Sequence, residues 1–174
     1  MSMDREGYKP TKVWSDAFNP EIDAILGQYL VWRDPSKNDD DFKNTDRICQ
    51  IERGTRVSCR MRHFRDMRYQ HQFTLRCSRP SGVPTELQKI LTGWGDYMFY
   101  GIAAEDDLCI ASWHLCDLDV FRKWYLPERN HRVMAVPDGS AEYMIFQYHE
   151  LPETFVIAER IYTPGGTIYE YMYR

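Results

Sequence analysis

The sequence lacks the features by which a protein enters a membrane or leaves the cell. It has no run of about 18 apolar residues, the length that a transmembrane helix needs. Its first residues, MSMDREGYKPTKVW, lack the apolar core of a signal peptide. We therefore expect a protein that stays in the compartment where it is made, the cytoplasm.

The cysteines lack the spacing of a disulfide framework or of a structural zinc site. There are five of them, an odd number, and no two form a C-x-x-C pair. We expect reduced and mostly buried thiols. The tripeptide His114-Leu115-Cys116 carries metal-compatible atoms, but without a second such pair it favours a structural role. The cysteines are Cys49, Cys59, Cys77, Cys109 and Cys116.

Length and composition suit one folded domain. A chain of 174 residues can bury most of the apolar surface that its unfolded state exposes. Aromatic residues make up 14% of the chain, a rich supply for core packing and for stacking on bases. Because no internal repeat and no linker occurs, residues 1–174 are interpreted as a single domain.

Positive charge is concentrated in one segment, although the chain as a whole is acidic. The formal net charge is −4, yet residues 53–79 contain eight arginines, no lysine and a single acid, Asp66. Arginine binds phosphate and carboxylate groups through a planar fork of donors that lysine does not have. The segment therefore favours contact with nucleic acid, or with an acidic protein surface or internal acids. The arginines are Arg53, Arg56, Arg60, Arg62, Arg65, Arg68, Arg76 and Arg79.

Local signals predict the helices and the remaining strands. Asn19 as the N-cap, followed by Pro20 at the first helical position, predicts a helix that runs to about Trp32. Thr85 and Asp117 are candidate N-caps of two shorter helices. Apolar and aromatic residues predict further strands at 97–100, 108–113, 143–148 and 154–161, the first two as a hairpin.

Two parts of the arginine-rich segment alternate apolar and polar residues with a period of two. In residues 57–62, Arg60 and Arg62 share one face, and in residues 72–77, Arg76 lies on the polar face. We predict that these strands pair antiparallel, with their guanidinium groups side by side. Because like charges repel, that arrangement calls for an anion or a carboxylate between them. The elements together predict an α/β (α+β) domain with a mixed central β-sheet flanked by helices.

Several blocks of the sequence resemble a known group of proteins. Asp46 and the blocks VSCRM (57–61), FTLRCSRPSGVPTELQK (73–89) and DYMFYG (96–101) resemble uncharacterised phage and mobile-element proteins that are similar to the PD-(D/E)xK, or restriction-endonuclease-like, nucleases. The resemblance covers roughly residues 20–125 and leaves 126–174 as an aromatic, β-rich extension. It implies an αβββαβ nuclease-like core and, for a phage-encoded protein, the cytoplasm of the host cell.

The resemblance also implies a magnesium site. Asp46 takes the place of the first metal-binding aspartate of that family. Where the family has E-x-K on the next strand, this chain has no carboxylate and carries Arg60, which cannot act as a base. Glu86 and Lys89, one helical turn apart, would then supply a migrated acid and cation. In the alternative interpretation, Asp46 caps a turn, and the other two form a solvated helix pair.

Two functions are consistent with these features. The first is a phage-type protein with a nuclease-like fold that binds DNA, with Mg²⁺-dependent phosphodiester hydrolysis as a further activity. The second is a catalytically inactive interaction protein that inhibits a host or competing nucleic-acid enzyme, which the missing carboxylate favours. The sequence does not distinguish DNA from RNA. The candidate catalytic residues are Asp46, Glu86 and Lys89, with Asp46 and Glu86 as metal ligands. The candidate phosphate-binding residues are Arg56, Arg60, Arg62, Arg76 and Arg79.

Overall fold

The computed structural model describes residues 4–28, 32–33, 47–49, 55–126, 131–163 and 168–172. They form two β-sheets flanked by helices, so the α/β (α+β) class is confirmed. None of the described helices is long and apolar enough to cross a membrane. Asp46 and Arg53 lie outside the described residues. The nuclease-like αβββαβ core stays a prediction.

The α-helices of the described residues are α1 (Asp4–Asp16), α2 (Asn19–Leu26), α3 (Glu86–Leu91) and α4 (Leu118–Trp124). The predicted helix is present as α2, but the predicted N-cap at Asn19 is wrong, because Phe18 occupies the N-cap position and makes no side-chain cap hydrogen bond. Its predicted end is wrong, because α2 ends at Leu26 and Trp32 belongs to a strand. Gly27, a residue type that disfavours helix, follows α2 and donates its backbone N–H to the Asp23 carbonyl at 2.9 Å.

The larger sheet contains β1 (Trp32–Arg33), β2 (Arg47–Cys49), β3 (Thr55–Arg62), β5 (Tyr97–Ala103), β6 (Ile110–Asp117), β9 (Val156–Tyr162) and β10 (Ile168–Met172), numbered in chain order. These seven strands lie in the order β1-β2-β3-β5-β6-β9-β10. Strands β3 and β5 run parallel, with Val57 opposite Tyr97, whereas β5 and β6 form the predicted antiparallel hairpin. The sheet is therefore mixed, as predicted.

The second sheet contains β4 (Gln72–Ser78), β7 (Arg132–Ala135) and β8 (Glu142–Gln147). Its order is β4-β8-β7, and both pairs are antiparallel. The predicted pairing of β3 with β4 is wrong. A strand has only two edges, and those of β3 are taken by β2 and β5, so β4 pairs with β8 instead. Strands that follow residue 126 thus complete both sheets.

Each face of the larger sheet packs against a different layer. Residues at odd positions of β5 and β6, such as Phe99 and Trp113, pack against α2 through Ile22. Residues at even positions, such as Met98 and Cys116, join a second core with the apolar face of β4, α3 and α4. The predicted inward direction of the apolar residues of β4 is confirmed, since Phe73 and Leu75 are fully buried. The polar face of β4, which carries Arg76, therefore points away from this core.

The N-cap predicted at Thr85 is confirmed as a capping box. The Thr85 hydroxyl accepts a hydrogen bond from the backbone N–H of Gln88 at 3.3 Å, and the Gln88 side chain accepts one from the Thr85 N–H at 2.8 Å. We expect Thr85→Ala to lower the free energy of unfolding by about 1 kcal/mol, because it leaves one helix donor unsatisfied. Urea denaturation of this variant measures the loss, and Thr92→Ala at the other end of α3 is the control. An unchanged midpoint would contradict the role of the cap.

Candidate nucleic-acid interface

Arginines of β3 and β4 approach each other through the packing of the two sheets. Arg60 donates from Nη1 to the backbone carbonyl of Thr74 at 2.7 Å, and Arg62 donates from Nη2 to the Thr74 hydroxyl. Arg60 and Arg76 both lie over the ring of Tyr143, at 5.6 and 5.5 Å from its centroid. Arg60 and Arg76 thus share the ring of Tyr143, although the strands β3 and β4 that carry them do not pair.

A concave site of about 230 Å³ lies where these arginines meet the start of α3. We call it the basic pocket. Its charged lining residues are the cations Arg60, Arg76, Arg79 and Lys89 and the single carboxylate Glu86. Ser58, Cys59 and Pro84 complete the lining. Five of the residues predicted to act on nucleic acid are thus brought together from β3, β4, the turn after β4 and α3.

Glu86 is held by the protein itself. Its Oε2 accepts a hydrogen bond from Nη1 of Arg60 at 2.6 Å and a longer one from the backbone N–H of Arg76 at 3.3 Å. The side chains of this ion pair are only 21% and 12% exposed. Burial by itself would lower the pKa of Arg60, but Glu86, Tyr100 and Tyr143 raise it above its ordinary value. Arg60 therefore stays charged, and its main partner is Glu86.

Arg76 and Arg79 contact uncharged oxygens. Arg76 donates to the hydroxyl of Tyr143 at 2.9 Å. Arg79 donates to the carbonyls of Val83 at 2.7 Å and Pro84 at 2.6 Å. Burial and the positive charge of Arg76 lower the pKa of Arg79. Within the described residues neither guanidinium forms an ion pair, so their charges repel each other across the pocket and favour an incoming anion.

Two of the candidate arginines lie outside the basic pocket. Arg56 is occupied by Asp96, whose Oδ2 accepts from its backbone N–H at 2.7 Å and from Nε at 3.2 Å. This contact links β3 to the start of β5 and is structural. Arg62 donates from Nε to the hydroxyl of Tyr100 at 2.9 Å and lines a neighbouring cavity.

The described part of the basic pocket does not fit a magnesium ion by itself. Mg²⁺ takes carboxylate and other oxygen ligands in octahedral geometry, whereas this pocket has one carboxylate among four cations. Among the described residues there is no group of three or more His, Cys, Asp or Glu that could hold a metal. Asp46 lies outside those residues. A metal role for Asp46 and Glu86 stays a prediction.

His114 and Cys116 have a structural environment, as their sequence context favours. His114 is 3% exposed, lies 2.9 Å from the carboxylate of Glu159 through Nε2, and stacks on Tyr148 at 3.9 Å. Burial lowers the pKa of His114 and raises that of Cys116 well above its ordinary value. Cys59, Cys77, Cys109 and Cys116 form no disulfide, and of these four only Cys116 is buried, so the expectation of mostly buried thiols is wrong for them. Cys59 in β3 and Cys77 near the end of β4 are partly buried, and Cys109, just before β6, is exposed.

Tyr143 is the residue of the site that the sequence did not reveal. It belongs to β8 and lies opposite Arg76 in the second sheet, 67 residues away along the chain. Its ring holds two guanidinium groups in position, a cation–π arrangement that adds to the hydrogen bond. The period of two in β8 places Tyr143 on one face, but the sequence gives no sign that this face meets β3.

The charges around the basic pocket indicate which kind of ligand suits it. Four cations and one carboxylate surround a concave space, which leaves three positive charges in excess. Two of the cations, Arg76 and Arg79, contact uncharged groups. Such a site attracts a compact anion with several oxygen acceptors. The sequence matches no protein-family model, and the comparison with curated proteins finds no match.

Proposed function

We propose that the protein binds nucleic acid by holding a backbone phosphate in the basic pocket. The observation that carries this proposal is the placement of Arg76 and Arg79 beside each other with uncharged partners. A phosphate supplies the acceptor oxygens and the negative charge that these two groups lack.

The other charged residues of the basic pocket also favour a phosphate as its ligand. Arg60 and Lys89 increase the positive field, and Glu86 removes only part of it. The net charge of −4 of the whole chain opposes long-range attraction to a polyanion. We therefore expect modest affinity that depends on contact at the pocket and falls as the salt concentration rises.

Binding without hydrolysis is the form of this function that the contacts favour. Glu86 accepts from Arg60 at 2.6 Å, so the guanidinium competes with a metal ion for this carboxylate. Breaking the pair would leave a largely buried guanidinium without its counter-charge, which is costly. This agrees with the missing carboxylate on β3, where Arg60 stands.

Single-charge substitutions test the pocket. We expect Arg76→Gln and Arg79→Gln each to weaken binding of a fluorescent 15-nucleotide oligo-dT about five- to tenfold, because each loses a charge-assisted phosphate contact. Each should also lower the slope of log Kd against log salt concentration by about 0.7. Fluorescence anisotropy in EDTA at several salt concentrations measures both quantities.

Lys123→Gln is the matched control, because it removes the same charge from α4, where Lys123 pairs with Asp119 at 2.6 Å outside the pocket. Equal effects of all three substitutions would mean that only the total charge matters, and would contradict the proposal. Absence of binding to any nucleic acid would also contradict it. That result would direct attention to the inhibitory interaction protein as the remaining function.

A further inference from the structure

A second cavity lies beside the basic pocket. It has a volume of about 150 Å³. Its walls include the apolar side chains of Ile102, Met134 and Ile145 and the rings of Tyr69 and Tyr100. Tyr69 ends a 3₁₀ helix, Phe64–Tyr69, that connects β3 to β4. The cavity therefore combines residues from both sheets with a connecting segment.

The two sites are neighbours along the same strands. Thr74 and Ile145 are paired in register at the second cavity, and Arg76 and Tyr143 are paired two residues further along. Two residues of a strand span about 7 Å. Arg60 and Arg62 connect the sites from the other side, since both bond to Thr74. A nucleotide whose phosphate lies in the basic pocket thus has its base within reach of the second cavity.

The second cavity has the chemistry of a base-binding site. Its lining combines apolar and aromatic side chains with Arg62, Asp66 and Gln72, which supply donors and acceptors. A nucleobase needs this combination, with apolar contact for its faces and polar contact for its edge. The volume is also informative, because a cavity of about 150 Å³ is the size that accommodates one six-membered aromatic ring.

Tyr69 is placed to stack on such a ring. It is 44% exposed, although it lines the cavity. The guanidinium of Arg68 lies 4.7 Å from the centroid of its ring, and this contact favours a fixed position for an otherwise exposed side chain. An exposed aromatic ring held next to a phosphate site is the arrangement by which proteins bind single strands.

We propose that the second cavity binds one unpaired base of a single-stranded nucleic acid, so that the protein prefers single strands to duplexes. This inference rests on the proposed function, since the phosphate in the basic pocket positions the base. In a duplex the base is stacked and paired, so its faces are covered and it cannot enter the cavity without being flipped out.

The experiment compares three probes of equal length: oligo-dT, an abasic oligomer with the same sugar-phosphate chain, and a duplex. We expect wild-type protein to bind oligo-dT at least fivefold more tightly than the abasic oligomer or the duplex, from the stacking of one base. Tyr69→Ala should weaken binding of oligo-dT about five- to tenfold and leave the abasic oligomer unaffected. Tyr69→Phe should retain most of the affinity. Tyr171→Ala, a control on β10 with a similar exposure of 46%, should change neither.

The outcomes separate this inference from the function on which it rests. Equal affinity of wild type for oligo-dT and the abasic oligomer, or no effect of Tyr69→Ala, would overturn the base site. If both probes still lost affinity in Arg76→Gln, the phosphate site would stand. If neither probe bound wild-type protein, the proposed function itself would fail.

Discussion

Replacing Phe73 by alanine is expected to lower the free energy of unfolding by about 3–5 kcal/mol, the largest effect of any single substitution considered for this protein. Phe73 is fully buried at the centre of an aromatic cluster. Its ring centroid lies 5.1 Å from that of Phe146 and 5.4 Å from that of Phe155. Alanine would remove these contacts and leave a cavity that the surrounding rings cannot fill without moving.

The measurement is urea denaturation followed by tryptophan fluorescence. Phe64→Ala is the control, because Phe64 is only partly buried and its ring centroid lies 6.0 Å from that of Tyr162. We expect the control to cost less than half as much. A loss of under 1 kcal/mol for Phe73→Ala would contradict its position in the core. Such a result would also question the positions of Thr74 and Arg76, because they belong to the same strand as Phe73.

Replacing Glu86 by glutamine is expected to have opposite effects on stability and on binding. The free energy of unfolding should fall by about 1–3 kcal/mol, because Arg60 loses a charged hydrogen-bond partner in a poorly exposed position. Affinity for oligo-dT should rise about fivefold, since the single negative charge of the basic pocket is removed. Denaturation and anisotropy on the same preparation measure the two effects.

The same substitution separates phosphate binding from metal-dependent hydrolysis. If Glu86 and Asp46 held Mg²⁺, Glu86→Gln and Asp46→Ala would each abolish cleavage of DNA in the presence of Mg²⁺ or Mn²⁺. If wild-type protein cleaved DNA and both substitutions abolished the cleavage, the protein would be a nuclease. That result would contradict the view that Glu86 serves only to pair with Arg60. We expect no cleavage. We expect Glu86→Gln to raise the affinity for oligo-dT. The control Gln88→Glu, a change of the opposite sign on the same helix, should not raise it.

The helix caps and strand faces were predictable because they depend on neighbours in the sequence. Thr85 caps α3 through a residue three positions later, and Asp117 caps α4 by accepting from the N–H of Asp119 at 2.8 Å. Alternation likewise placed Phe73 and Arg76 on opposite faces of β4. Helix α1 was not predicted, because it contains Pro10, a residue that disfavours a helix interior.

Pairing and the assembled site were decided by contacts between distant segments. Arg60 meets Glu86 across 26 residues, and Arg76 meets Tyr143 across 67. No local pattern specifies such contacts, since they depend on which strand takes each free edge and on how two sheets pack. The sequence by itself determined that this chain is an α/β domain with several arginines on one side of two strands. Only the tertiary structure decided that β4 belongs to the second sheet, and this is why its polar face and the middle of β3 line one pocket.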